Sequence, residues 1–212
     1  LRGILLEADG LKKQHTTPGQ YLEIVLSPEA KGYFALSNGP DHENFELLLK
    51  RGGGAADAII KLKAGDTVPS KPPAGKGYPL EKHKGKDLLL FAAGSGIAPI
   101  RAAAQFIRSH RFDYGEVVLF YGQRFPTDFA YKSELADLEK QDIQAILCLS
   151  NTMEPVESWK GVRGHVQDVF LSRGKKYKDP VAYVCGMKAM VQGVKDAMAK
   201  AGYEGDRVFQ NF

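Results

Sequence analysis

The chain has 212 residues, 43% of them apolar and 25% charged, with a formal net charge of +4. That length holds one large domain or two small ones of ordinary globular composition, and a charge so mild and evenly spread gives no footprint for nucleic acid. Two distant cysteines, Cys148 and Cys185, exclude a cysteine-ligated iron–sulfur cluster or a four-cysteine zinc site within this chain, and the scattered histidines show no ligand spacing, so no metal is expected.

Residues 1–85 read as short strands separated by turn signals. Residues 1–8 (LRGILLEA), 20–27 (QYLEIVLS), 32–38 (GYFALSN), 45–51 (FELLLKR) and 66–71 (DTVPSK) carry strand-type residues, and the separators are rich in Gly, Pro and Asn. This spacing suggests a small antiparallel β-barrel. One short helix is expected at 54–62, where Ala56, Ile59 and Ile60 fall at helical spacing. The stretch 70–86 has Pro, Gly and Lys but little periodicity, and a domain boundary is placed at Gly85.

Residues 86–212 alternate. Apolar runs at 87–93, 116–122, 143–150, 181–186 and 207–212 read as buried parallel strands. Between them lie helical patterns: one after Pro99, with Ile100, Ala103, Ala104 and Ile107 on one face, and others carrying Leu135 with Leu138, Val166 with Val169 and Phe170, and Met187 with Met190, Val191, Val194 and Met198. Gly202 is placed as a C-cap. Strand–helix alternation implies right-handed crossovers, a parallel sheet covered on both faces, and ligands beyond the carboxyl ends of the strands.

Four loops fall at that edge. The first is Gly94-Ser95-Gly96-Ile97-Ala98-Pro99, where glycines let backbone N–H groups approach an anion and Pro99 suits a first helical turn. A common dinucleotide fingerprint would have a third glycine where Pro99 stands, and an acid at the end of the next strand. That strand instead ends Tyr121-Gly122-Gln123-Arg124, and Arg124 is placed to meet a phosphate. The third loop is Ser150-Asn151. The fourth is Cys185-Gly186-Met187-Lys188-Ala189-Met190, where a glycine after the strand-ending cysteine permits close approach of a flat ligand.

In this order and spacing the loops resemble the NAD(P)H-binding half of the ferredoxin–NADP reductase superfamily, with its G-[ST]-G-I-A-P, Y-G-x-R and C-G-x-x-x-M motifs. The first half is similar to that family's FAD-binding barrel at Thr16–Ile24 (TTPGQYLEI) and Leu62–Val68 (LKAGDTV). Plant and algal ferredoxin reductase-like members resemble the chain in the stretches GYFALSNGP and GGGAADA. The resemblance implies that the glycine loop holds the pyrophosphate and nicotinamide ribose, and that Cys185 packs beside the nicotinamide during hydride transfer without acting as a nucleophile.

It also implies an FAD site with departures. The R-x-[YF]-S motif aligns on Phe34-Ala35-Leu36-Ser37, which retains only Ser37, the residue expected near the reactive flavin edge. The G-x-x-[ST] motif aligns on Gly53-Gly54-Ala55-Ala56, without a hydroxyl, so backbone amides and Lys50 or Arg51 are expected to meet the pyrophosphate. Phe212 is expected over the flavin face, or else closing the last strand. Nucleotide preference leans to NADH, because Ser150 is followed by Asn151, Thr152 and Met153 where NADPH-using branches carry an arginine; Lys160 and Arg163 lie further along.

The implied function is transfer of a hydride from NAD(P)H to FAD and of electrons onward to an unidentified acceptor. The alternative is a degenerate reductase serving as a nucleotide-binding module without tight FAD. An electron-transfer subunit of a larger dehydrogenase is a variant of the first, although such subunits usually carry a cysteine-rich tail. Lys71, Lys76, Lys82, Lys84 and Lys86 suggest docking of an acidic carrier such as ferredoxin. No apolar run approaches a membrane span, and the sequence opens on Leu1 without a recognisable leader. The resemblance implies a plastid if the source is a plant or alga, and cytoplasm otherwise.

Overall fold

The computed structural model describes residues 1–8, 10–151 and 159–212. In the first half, β1 (Arg2–Leu6) pairs antiparallel with β4 (Phe45–Leu49), and β2 (Tyr21–Val25) with β3 (Lys31–Ala35). A bridge between Leu36 and Leu47 joins the two ribbons. The pleat sends Leu22, Ile24, Leu36, Leu47 and Leu49 to one side, where α1 (Gly54–Lys61) covers them with Ile59 and Ile60. β4 is apolar at three successive positions because both of its faces are covered. Leu47 and Leu49 enter this core, whereas Leu48 packs against the second half.

The strand expected at 66–71 is absent. Only isolated bridges, Ile24 to Ser70 and Tyr21 to Ala74, tie this segment to β2. Pro69, Pro72 and Pro73 carry no N–H, so the ladder cannot run continuously there. The antiparallel architecture survives, in the spatial order β1, β4, β3, β2, then residues 70–74.

The second half is one six-stranded sheet, ordered β10-β9-β5-β6-β7-β8 and parallel throughout. Its strands are β5 (Leu88–Ala93), β6 (Val117–Gln123), β7 (Gln144–Leu149), β8 (Val162–Arg163), β9 (Val181–Cys185) and β10 (Val208–Phe209). On one face lie α2 (Ile97–Ser109) and α3 (Lys132–Leu138), and on the other α4 (Val166–Ser172) and α5 (Lys188–Lys200). Every residue from Leu88 to Ala92 is fully buried, as expected of a central strand covered on both faces. Gly202, at φ +88, follows the end of α5 and donates its N–H to Ala199 O (2.9 Å). The two-residue β8 was not anticipated, and β10 stops at Phe209, short of the run read to Phe212.

Chain order runs from β5 outward through β6 and β7 to β8, then returns to β9 on the other side of β5. The reversal therefore falls between β5 and β9, and ligand crevices in such sheets open at this switch point. The two halves meet there. Tyr78 and Leu80 are buried in the core of the second half, and the Tyr78 hydroxyl donates to Val184 O (3.3 Å). The Asn211 amide donates to Gly19 O (2.8 Å), fastening the segment after β10 to the first half.

Candidate functional site

A cleft of about 1140 Å³ opens between the halves, over the ends of β5, β6 and β9. Its floor is the loop Gly94–Gly96 and the first turn of α2, with Ala98 and Pro99. Gly94 has φ +60, which lets the chain turn sharply out of β5. Gly96 packs directly on the end of β9: a β-carbon there would stand 2.2 Å from Cys185 O. Ile97 is fully buried beneath the loop and does not line the cleft.

Tyr121 also stays out of the cleft. Its hydroxyl donates to Gly94 O (3.3 Å) and accepts from the Gln123 side chain (2.7 Å), which also donates to Asp128 O (3.0 Å). Burial pushes the phenol's pKa up, so it remains a donor. Tyr121 thus braces the glycine loop from below. Gly122, Arg124 and Ser150 do line the cleft, with the Arg124 guanidinium 5.3 Å from the Phe125 ring centre. Asn151 lies beside it, its carbonyl accepting from Arg163 (3.3 Å). Thr152 and Met153, which bear on the NADH preference, fall outside the described residues.

Cys185, Gly186, Met187 and Met190 form the side wall. The Cys185 thiol has its pKa pushed up to about 11 by burial, so it is protonated at neutral pH, in keeping with packing and not nucleophilic attack. Met187, expected on the apolar face of the last helix, instead caps α5 in extended conformation and is 72% exposed at the rim.

The opposite wall comes from the first half: Tyr21, Tyr33, Phe34, Ala35, Leu48 and Lys50, with Asn211 and Phe212 at one end. Tyr21 and Tyr33 meet edge to face at 5.6 Å. Here the structure shifts the sequence expectation. Phe34 and Ala35 line the cleft, but Leu36 and Ser37 are fully buried and do not. The Ser37 hydroxyl donates to Glu46 O (2.9 Å), so it is engaged in the β3–β4 junction, and the proposed role at a flavin edge has no geometric support. Gly53, Gly54, Ala55 and Ala56 are likewise absent from the cleft wall. The N–H groups of Gly52 and Gly53 donate instead to the Asp57 carboxylate (3.2 and 2.8 Å), which takes up the first amide of the expected phosphate motif, that of Gly53, and the Gly52 amide before it. Phe212 is 71% exposed and lies in the cleft wall beyond the end of the β10 ladder, so it does not close that strand.

Several lining residues were not singled out in the sequence. Tyr21 and Tyr33 lie within the stretches 16–24 and 32–40 that carry the resemblance, but neither was named as a site residue. Nothing marked Gly164, His165 or Gln167, which complete the wall near Ser150. The charged lining residues are Lys50 and Arg124, and no Asp or Glu lines the cleft among the described residues. Such a cavity favours an elongated, polyanionic ligand with flat rings. The glycine loop and Arg124 fit a dinucleotide. The aromatic wall with Lys50 fits a second flat ring bearing phosphate.

A parallel nucleotide-binding sheet joined to an antiparallel β half, with the cleft at their junction, is the architecture of the ferredoxin–NADP reductase superfamily. Residues 90–196 match the oxidoreductase NAD-binding domain family, and the chain belongs to it. Among curated relatives, sulfhydrogenase 1 subunit gamma of Pyrococcus furiosus is 28% identical over 197 residues, covering 91% of this chain and 66% of that protein. NADH-cytochrome b5 reductase 2 of Yarrowia lipolytica is 26% identical over 200 residues, covering 90% and 68%. The chain thus spans about two thirds of the length of these relatives. Among solved structures, a ferredoxin NADP+ reductase from Neisseria gonorrhoeae with bound FAD and NADP superposes with a TM-score of 0.77 at 18% identity, covering 93% of this chain and 87% of that one. The cytochrome b5 reductase domain of Ulva prolifera nitrate reductase gives 0.76 at 20%, covering 92% and 85%. These last two establish the fold.

Of the five clustered lysines, Lys71 pairs with Glu23 (2.9 Å), Lys84 with Asp113 (2.8 Å) and Lys86 with Asp179 (2.9 Å). Much of that positive charge is therefore balanced within the chain. No helix among the described residues is long and apolar enough to cross a membrane.

Proposed function

We propose that the chain is the flavin- and nucleotide-binding unit of an NAD(P)H oxidoreductase, its halves divided near Gly85. The observation that supports this best is the cleft itself. The glycine loop and Cys185 form one wall, an aromatic wall faces them, and the charged lining residues are both cations. The relatives named for NADH and cytochrome b5 point the same way.

A bound flavin supplies hydride acceptance from NAD(P)H and onward release of electrons singly or in pairs. The protein's part is alignment. The N–H groups around Gly94–Gly96 hold phosphate, Arg124 adds charge, and Cys185 and Gly186 give a flat ring room to lie against the end of β9. Tyr33, Phe34 and Phe212 exclude water from the opposite side, and Lys50 meets the flavin's phosphate. We favour NADH over NADPH. The acceptor is an electron carrier, and the sulfhydrogenase relationship extends the choice to a partner subunit in a larger assembly. An acidic carrier would meet Lys76 and Lys82, the two lysines of the cluster outside the ion pairs described above.

One observation favours the second reading, a binding module without tight FAD: Asp57 holds the Gly52 and Gly53 amides. An absorbance spectrum separates the two. A flavin band near ~450 nm, bleached anaerobically by NADH or NADPH, supports the reductase. A colourless protein that FAD does not reconstitute at tens of micromolar leaves only nucleotide binding. The relative bleaching by NADH and NADPH decides the preference.

A further inference from the structure

Arg101 stands on α2, two residues after Pro99, and its side chain is 14% exposed. Its Nε donates to Glu134 of α3 (2.7 Å), within the second half. Its Nη1 donates across to the first half, to Ser37 O and to the Glu46 carboxylate (2.8 Å each). The guanidinium lies 4.3 Å from the ring centre of Tyr131, whose hydroxyl donates to the other Glu46 oxygen (3.1 Å). Gln105 donates to the second oxygen of Glu134 (3.3 Å). Both carboxylates are therefore satisfied at both oxygens. Tyr131 reaches its place with φ +57, a left-handed conformation costly for a bulky residue and held here by the surrounding contacts.

The points of attachment relate directly to the cleft. Ser37 lies two residues beyond Ala35, the last cleft-lining residue of β3, and Glu46 lies two before Leu48, the first of β4. The Leu36–Leu47 bridge joins these strands at that place. At its other end, Arg101 is carried by the helix that grows out of Gly94–Gly96. One planar, fork-shaped cation thus fixes the aromatic wall against the glycine loop. Lysine has no such fork. Hydride transfer is steep in the separation of donor and acceptor, so small shifts between the walls register in the rate.

We propose that Arg101 is a positioning residue that sets the spacing of the two cleft walls, and with it the rate of transfer between the two rings the cleft holds. The transfer part rests on the reductase reading above. The spacing part does not.

The test compares wild type with Arg101→Met, Arg101→Lys and Glu134→Gln. Three readouts are used: ADP-ribose affinity by calorimetry, flavin bleaching by saturating NADH in anaerobic single turnovers, and hydrogen exchange of segments 37–47 and 131–138. For Arg101→Met we expect ADP-ribose affinity within about two-fold of wild type and bleaching at least ~10-fold slower at saturation. Exchange in both segments should rise, while strands β5 and β6 stay protected. Arg101→Lys should fall between, and Glu134→Gln should slow bleaching by a few-fold, keeping the question answerable if Arg101→Met does not fold. A lowered melting temperature with an unchanged rate per bound flavin would reduce Arg101 to a structural residue and overturn the proposal. If wild type itself is not bleached, the reductase reading fails, and hydrogen exchange alone decides the spacing role: unchanged protection at 37–47 defeats it.

Discussion

The carbonyl oxygen of Cys185 lies 2.2 Å from where a β-carbon on Gly96 would stand. Two loops from neighbouring strands, β5 and β9, touch backbone to backbone, and the cleft floor is continuous because no side chain separates them. Gly96→Ala forces one backbone to move, an overpacking cost of about 1–3 kcal/mol. We expect a lower melting temperature together with weaker ADP-ribose binding, read by calorimetry. Unchanged binding would mean that the nucleotide does not use this floor.

The Cys185 thiol, with its pKa near 11, holds far less thiolate at pH 8 than an unperturbed cysteine. Alkylation by iodoacetamide at pH 8 should be about two orders of magnitude slower than for a free thiol, and should accelerate as pH rises towards 11. Cys148 is buried more deeply and pushed up to about 12, so mass spectrometry should find it modified after Cys185. Rapid labelling of Cys185 at pH 7 would restore a nucleophilic role.

Arg124 and Lys50 lie on opposite walls, and their losses should separate. Arg124→Ala should weaken ADP-ribose binding about five-fold, equivalent to ~1 kcal/mol, with a shallower salt dependence. Lys50→Ala should leave ADP-ribose affinity alone and lower FAD retention on gel filtration. Equal effects of both variants on both ligands would contradict the assignment of the two walls.

His15 is buried, its Nε2 has no partner among the described residues, and its ring meets Phe45 edge-on at 5.9 Å. Burial lowers its pKa to about 4. Between pH 6.5 and 4 the unfolded chain binds a proton there that the native state does not. Stability therefore rises with pH across this window and falls on acidification, by about 2–3 kcal/mol at most. Urea titrations at pH 7 and pH 4.5 should show the loss, and His15→Gln should flatten it. Parallel pH profiles for variant and wild type would acquit His15.

The nucleotide half was legible because its signals are local. A glycine turn followed by a proline at a helix start is a requirement of the adjoining backbone, and Gly94, Ser95, Gly96, Ala98, Pro99, Gly122, Arg124 and Cys185 all reached the cleft. The flavin side was less legible. The motif carried Ser37 to the cleft, whereas Leu36 and Ser37 are buried where β3 runs into the Leu36–Leu47 bridge and the Ser37–Glu46 hydrogen bond, and Tyr33, Phe34 and Ala35 line the cleft before them. The glycine run at 52–54 read as part of a phosphate cradle, yet Asp57 takes the amides of Gly52 and Gly53.

What the sequence determined by itself was the class of fold and the loops of the second half that line the cleft. Apolar periodicity and turn chemistry act over a few residues and need no partner. Only the tertiary structure decided which residues face the cleft and what holds its walls. Arg101 reads as an ordinary cation on a helix. Its role depends on Ser37, Glu46 and Glu134, which lie 64, 55 and 33 residues away along the chain. Such contacts are set by packing between halves, on which the spacing of residues in one strand or helix carries no information.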